Sequence, residues 1–130
     1  MISEEIPGDI VAFVVRAITS IEQINILILL RERPDRKWTA ATLSAELRST
    51  ESAIQRRLDD LYAAGVLQPP AHAHTGIGYS PTAPAVGEML DRLIELYRNK
   101  PTRLIELVYS RPAQGVLAFA DAFRLTKEKP

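Results

Sequence analysis

The sequence predicts an all-α fold with a small two-stranded β-wing, and three observations predict it. Apolar residues recur at helical spacing along most of the 130 residues, as in Ile54, Leu58 and Leu61. A turn of about three residues, around Arg48 and Ser49, separates two such stretches. Gly65 then stops the second stretch and leads into Val66-Leu67-Gln68, an apolar run of strand character whose return is expected at Tyr79-Ser80.

Pro7-Gly8 closes a short polar lead. Asp9 is placed to cap a first helix, over about 10–18, by accepting a backbone N–H. Ile10 to Ile18 is apolar almost all round, so a helix here must be buried on most sides, although the β-branched run would also suit a strand. Ser20 and Gln23 form a capping box for a second helix, over about 21–33, which Pro34 ends. Thr39 caps a third helix, over about 40–47, that buries Leu43 and Leu47. Ser49 or Thr50 caps a fourth, over about 51–64. Pro69 to Gly78 is a loop, and Pro81 closes the returning strand. A fifth helix, about 84–99, carries the stripe Val86, Leu90, Leu93 and Tyr97. Pro101 breaks the chain, Thr102 caps a sixth helix over about 103–110, and Pro112 breaks it again. A last helix, about 113–124, carries Val116, Phe119, Ala120 and Phe123, and a charged tail follows. One domain is expected over 1–130, with its core at about 20–83 and flanking helices at about 10–18 and 84–124.

Hydrophobic residues make up 46% of the chain, enough to build a core. Sixteen Lys and Arg balance sixteen Asp and Glu, so any nucleic-acid face must be a local one. The absence of cysteine excludes disulfides, thiolate metal sites and cysteine nucleophiles. The acidic start is unlike a secretory signal. The longest apolar runs, Ile10–Val15 and Ile26–Leu30, are too short to span a bilayer, so a cytoplasmic protein without a membrane partner is expected. No nucleophile elbow, phosphate loop or metal-hydrolase helix occurs, which argues against an enzyme and implies no cofactor. His72 and His74 could share one ion, but their loop offers no third ligand, and no metal site is expected.

The phrase Leu58-Asp-Asp-Leu-Tyr-Ala-Ala-Gly-Val-Leu67 resembles the recognition helix and first wing strand of bacterial winged helix-turn-helix regulators. Thr39-Ala-Ala-Thr-Leu-Ser-Ala-Glu-Leu47 resembles their preceding helix, and the element order over about 20–98 is similar to the MarR-type layout. The resemblance implies a transcriptional regulator that binds duplex DNA as a homodimer, with helix four in the major groove. The face of that helix opposite Ile54, Leu58 and Leu61 is centred on Ser52, Arg56, Asp59 and Ala63. Gln55 and Asp60 flank it, and Arg57 lies on its shoulder. Arg56 could read a guanine and Gln55 an adenine, while Thr50 and Ser52 could hold phosphate. Thr50, Ser52, Gln55, Arg56 and Arg57 are therefore the candidate DNA-binding residues.

Several residues weigh the other way. Asp59 and Asp60 share the same face, and Arg56 can pair with Asp60 at i, i+4. From Thr39 to Ala83 three arginines stand against four carboxylates. The loop at 69–78 has no lysine or arginine, where the family's wing carries an acidic–basic pair. The alternative is a winged-helix module used for protein–protein interaction. The apolar excess of helix one and of residues 104–123 is expected to form the homodimer interface, or else an intramolecular cap.

Overall fold

The structure, a computed structural model, describes residues 6–110. It contains six helices: α1 (Gly8–Ala17), α2 (Ile21–Glu32), α3 (Ala40–Leu47), α4 (Glu51–Ala63), α5 (Pro84–Asn99) and α6 (Pro101–Ser110). The helix expected over about 113–124 lies outside the described residues. α2 is the central element. Ile24, Ile26, Leu27 and Leu30 have no exposed surface, as an all-round apolar sequence requires. α4 turns Ile54, Leu58 and Leu61 into the same core, α5 adds Leu90, Leu93 and Ile94, and α6 adds Leu104 and Val108. Each such side chain contributes about 1.5–3 kcal/mol by leaving water. α1 is a helix rather than a strand, and Ile10, Phe13, Val14 and Ala17 are buried within the chain, where α1 packs against α5 and α6.

The expected two-stranded β-wing is absent. Among the described residues there is no β-strand, and the architecture is all-helical. Residues 66–68 and 80–82 meet only at an isolated antiparallel bridge, Leu67 with Pro81. There the Gln68 N–H donates to the Ser80 carbonyl at 2.8 Å and the Thr82 N–H to the Val66 carbonyl at 3.3 Å. The reason lies in the flanking residues. Pro70 has no N–H to donate at the next ladder position on one side, and on the other the Val66 N–H donates to the Leu61 carbonyl at 2.9 Å, so the ladder stops in both directions. A second isolated bridge joins Trp38 to Ile77 through two 2.8 Å bonds, tying the α2–α3 connection to the loop before α5. A short 3-10 turn, Ala73–Thr75, lies within that loop.

Asp9 does not cap α1, whose cap residue is Pro7 and lacks a side-chain hydrogen bond. Its carboxylate instead receives two hydrogen bonds from the Arg92 guanidinium of α5. Those bonds hold its carboxyl below the ordinary carboxylate range, so the link is complete above the ordinary pKa and lost as pH falls through the lowered one. α6 begins at Pro101 rather than after a Thr102 cap, since proline is suited to the first helical position. The capping box at Ser20 and Gln23 forms as the spacing predicts. Ser20 Oγ accepts from the Gln23 N–H, and Gln23 Oε1 accepts from the Ser20 N–H. Gly65 ends α4 at φ +78° in a paired motif, with Gly65 N–H to the Tyr62 carbonyl and Val66 N–H to the Leu61 carbonyl. Among the described residues no single helix is long and apolar enough to cross a membrane, and α1 and α2 meet at 103°.

The corner between α1 and α2 is closed by Gln23, a fully buried amide. Its Oε1 accepts from the Thr19 N–H at 2.6 Å and the Ser20 N–H at 3.2 Å, while Nε2 approaches the Arg57 carbonyl of α4 at 3.5 Å. Replacing Gln23 by Leu keeps the bulk and strands these amide groups. The expected loss is about 2–3 kcal/mol, read as a lower denaturation midpoint at unchanged m-value. A loss under about 0.5 kcal/mol would show that the corner does not depend on this amide.

Candidate nucleic-acid interface

α3 and α4 pack on one another through a connection of three residues, Arg48, Ser49 and Thr50. Thr39 caps α3, with Thr39 Oγ1 accepting from the Thr42 N–H at 3.0 Å and Thr42 Oγ1 accepting from the Thr39 N–H at 2.9 Å. Arg48 ends α3 in the left-handed region, φ 56° and ψ 51°, and is the only non-glycine residue at positive φ among those described. Its N–H and that of Ser49 both donate to the Ser44 carbonyl, closing the turn tightly enough to start α4 at once.

The outward face of α4 is where the helical period puts it. Ser52, Gln55, Arg56, Asp59, Asp60 and Ala63 are exposed, opposite the buried Ile54, Leu58 and Leu61. Their engagements differ. Arg56 makes no hydrogen bond or ion pair with any described residue, Asp60 included; the i, i+4 contact that forms is instead Gln55 Nε2 donating to Asp59 Oδ1 at 2.9 Å. Thr50 Oγ1 accepts from the Ala53 N–H at 3.1 Å and lies 3.4 Å from Ser52 Oγ, so Thr50 serves first as the helix cap. Arg57 is half-buried and donates Nε to Glu22 of α2 at 3.2 Å, which orients α4 on α2 rather than toward solvent. Of the five candidates, the structure thus leaves Arg56 free, Ser52 exposed beside the cap, and Gln55, Thr50 and Arg57 already engaged.

Two further cations, Arg36 and Lys37, lie in the α2–α3 connection, which the Trp38–Ile77 bridge ties to the loop before α5. The Arg36 guanidinium lies over the Trp38 ring, 3.7 Å from its centroid. The Lys37 stem runs along Gly76 and Gly78, where a Cβ would stand 2.7 Å from Lys37 Cβ and 3.0 Å from Lys37 Nζ respectively. Gly76 also has φ +91°, so this approach needs glycine twice over. A cleft of about 280 Å³ is lined by Trp38, Thr39, Gln55, Tyr62, Gly76 and Ile77. Burial pushes the Tyr62 phenol up, with Asp59 adding to it, so that wall is a neutral hydroxyl. His72 and His74 stack with ring centroids 5.3 Å apart and planes 13° from parallel, and no third His, Cys, Asp or Glu joins them among the described residues.

The cations divide by region. On the side built by α1, α2, α5 and α6, Arg31 pairs with Asp91, Arg92 with Asp9, Arg98 with Glu32 and Arg103 with Glu106. Arg16 donates to the Ala64 carbonyl at 3.3 Å. Around the α3–α4 unit, Arg36, Lys37, Arg48 and Arg56 are exposed and have no carboxylate partner among the described residues. A cleft of about 520 Å³ between α1, α2 and α5 is lined by Arg31 and Arg92, both already ion-paired. No known family model matches the chain, and no curated protein or solved structure matches it either.

A left-handed arginine is a strained choice where glycine would be free of cost. Arg48→Gly should therefore stabilise the fold by about 1 kcal/mol, measured as a raised denaturation midpoint. An unchanged or lowered midpoint would show that the Arg48 side chain contributes packing that outweighs the relief.

Proposed function

We propose that the protein binds duplex DNA through its helix–turn–helix, α3 and α4, as a cytoplasmic transcriptional regulator of the bacterial type and not as an enzyme. The observation that carries this reading is the division of the cations. Arg31, Arg92 and Arg98 on the α1, α2 and α5 side are ion-paired, while Arg36, Lys37, Arg48 and Arg56 around α3 and α4 are exposed without a carboxylate partner among the described residues. Phosphate neutralisation supplies most of the affinity of such proteins, and it needs cations without protein partners. On this reading α4 enters the major groove, Arg56 reads a base edge, and Arg48 and Ser52 approach the backbone.

A homodimer belongs to the same proposal, because paired recognition helices read half-sites about one turn apart. Ile105 and Tyr109, one helical turn apart on α6, are the exposed large hydrophobic residues among those described, and they supply the face for a second copy. Sedimentation at micromolar concentration should then give twice 14.5 kDa, and Ile105→Glu should return the monomer. A monomer in the unaltered protein would remove the dimer.

A second reading, docking of a protein on the same face, is favoured by Glu51 and Asp60, exposed there without partners. Arg56→Ala separates the two. If the face reads DNA, the change should cost about 1–3 kcal/mol of binding and relax the choice at one base pair, with circular dichroism unchanged. Absence of duplex binding by the unaltered protein at low salt would sink the DNA reading and leave protein docking.

A further inference from the structure

We infer that Arg36 and Lys37 form a phosphate clamp that grips the DNA backbone beside α4; the inference rests on the DNA-binding reading above and assigns it a second point of contact. The two cations are neighbours in sequence, yet each is held by a different device. Arg36 is laid flat on Trp38, a residue only 1% exposed and hydrogen-bonded on both sides to Ile77. Lys37 runs along Gly76 and Gly78, where an added Cβ would meet Lys37 Cβ at 2.7 Å and Lys37 Nζ at 3.0 Å. An exposed lysine ordinarily keeps its rotamer freedom, because ordering it costs up to about 2 kcal/mol. Here the stem lies against glycine backbone, and no carboxylate among the described residues receives the charge, not even the adjacent, exposed Asp35. A prepaid geometry around an unmatched charge is what a fixed anion requires.

The position identifies the anion. The cleft lined by Trp38, Gln55 and Gly76 runs between the residues that hold this pair and Gln55 of α4. A duplex whose major groove receives α4 must carry its backbone past a neighbouring part of the protein surface. The clamp is the cationic surface next to that helix, and the loop at 69–78 contributes no lysine or arginine of its own. A planar guanidinium and a compact ammonium side by side suit successive phosphate oxygens and carry no base information.

The experiment is a set of binding isotherms on duplex DNA at several salt concentrations, for the full chain and for Lys37→Met, Arg36→Gln and the double variant. Methionine keeps the stem that packs on the glycines. Each single change should lower the slope of log affinity against log salt by about 0.9, and the double change by about twice that. Sequence preference should stay as in the unaltered protein, in contrast to Arg56→Ala. Gly78→Ala is a further probe: it keeps every charge but displaces the ammonium, and it should weaken binding less than Lys37→Met does. If Lys37→Met fails to fold, Arg36→Gln carries the test, since it leaves the Lys37 packing intact. An unchanged slope in the variants, with Arg56→Ala still weakening binding, overturns the clamp and leaves the DNA reading standing. No duplex binding by the unaltered protein overturns both.

Discussion

The first turn of α2 holds three other parts of the chain at once. Gln23 accepts the amide hydrogens of the Thr19–Ser20 corner and reaches the α4 backbone at Arg57. Glu22, one residue earlier, takes the Arg57 side chain, and the Ile21 N–H donates to the Tyr109 hydroxyl of α6 at 3.3 Å. These bonds differ in strength. The 2.6 Å contact to Thr19 closes the corner, while the 3.5 Å approach to Arg57 is weak by itself. Together they set the rotation of α4 about its own axis. With Arg57 turned inward to Glu22, the neighbouring Arg56 is 100° further round and has nowhere to point but outward. The free charge on the candidate interface is thus a geometric consequence of a bound charge beside it.

A chain with sixteen cations and sixteen anions can still leave individual cations without an ion-pair partner, if the paired ones are gathered elsewhere. The pairs between α2 and α5 or α1 and α5 are exposed, and solvent screening leaves each of little weight in stability. Their larger effect is on the field. At physiological salt, charges further than about 8 Å apart hardly sense one another, so the field at a surface is set by its nearest charges. Pairing of Arg31, Arg92 and Arg98 leaves exposed cations without an ion-pair partner around the α3–α4 unit. Asp35, Glu46, Glu51, Asp59 and Asp60 are exposed around the same unit, so its cations are singly unpaired but not in excess.

Much of this was legible in the residue pattern. The helix spans, the capping box of α2, the glycine stop at Gly65 and the buried stripe of α4 all follow from spacing and short-range chemistry, and the structure has them. The wing does not form although Val66-Leu67-Gln68 has strand propensity, because Pro70 lacks the next donor and the end of α4 takes the Val66 N–H. Asp9 looked like a cap, since nothing local distinguishes a capping carboxylate from one that meets an arginine far along the chain. For the same reason Arg57 looked like a groove residue and Arg36 and Lys37 did not. The one available hint was the spacing of Gly76 and Gly78 around Ile77, a sign of close backbone approach that does not say what approaches.

The Trp38–Ile77 bridge has a bearing on how the molecule assembles. α3 and α4 are neighbours in sequence, and their mutual contacts form after a very short closure. The bridge instead joins residues separated by both of those helices, so its closure carries a larger entropy loss that is recovered only when the ring and both strands of backbone are in place. By the general relation between sequence separation and speed, the helix pair belongs to the early events of folding and the bridge to the late ones. The Arg36–Lys37 segment beside the bridge is therefore set in place after the helix pair and opens more readily in native-state fluctuations. Hydrogen exchange at the amides of Trp38 and Ile77 would run faster than at the α4 core. A nascent or partly opened chain would carry a formed α3–α4 pair while the Trp38–Ile77 corner is still unmade.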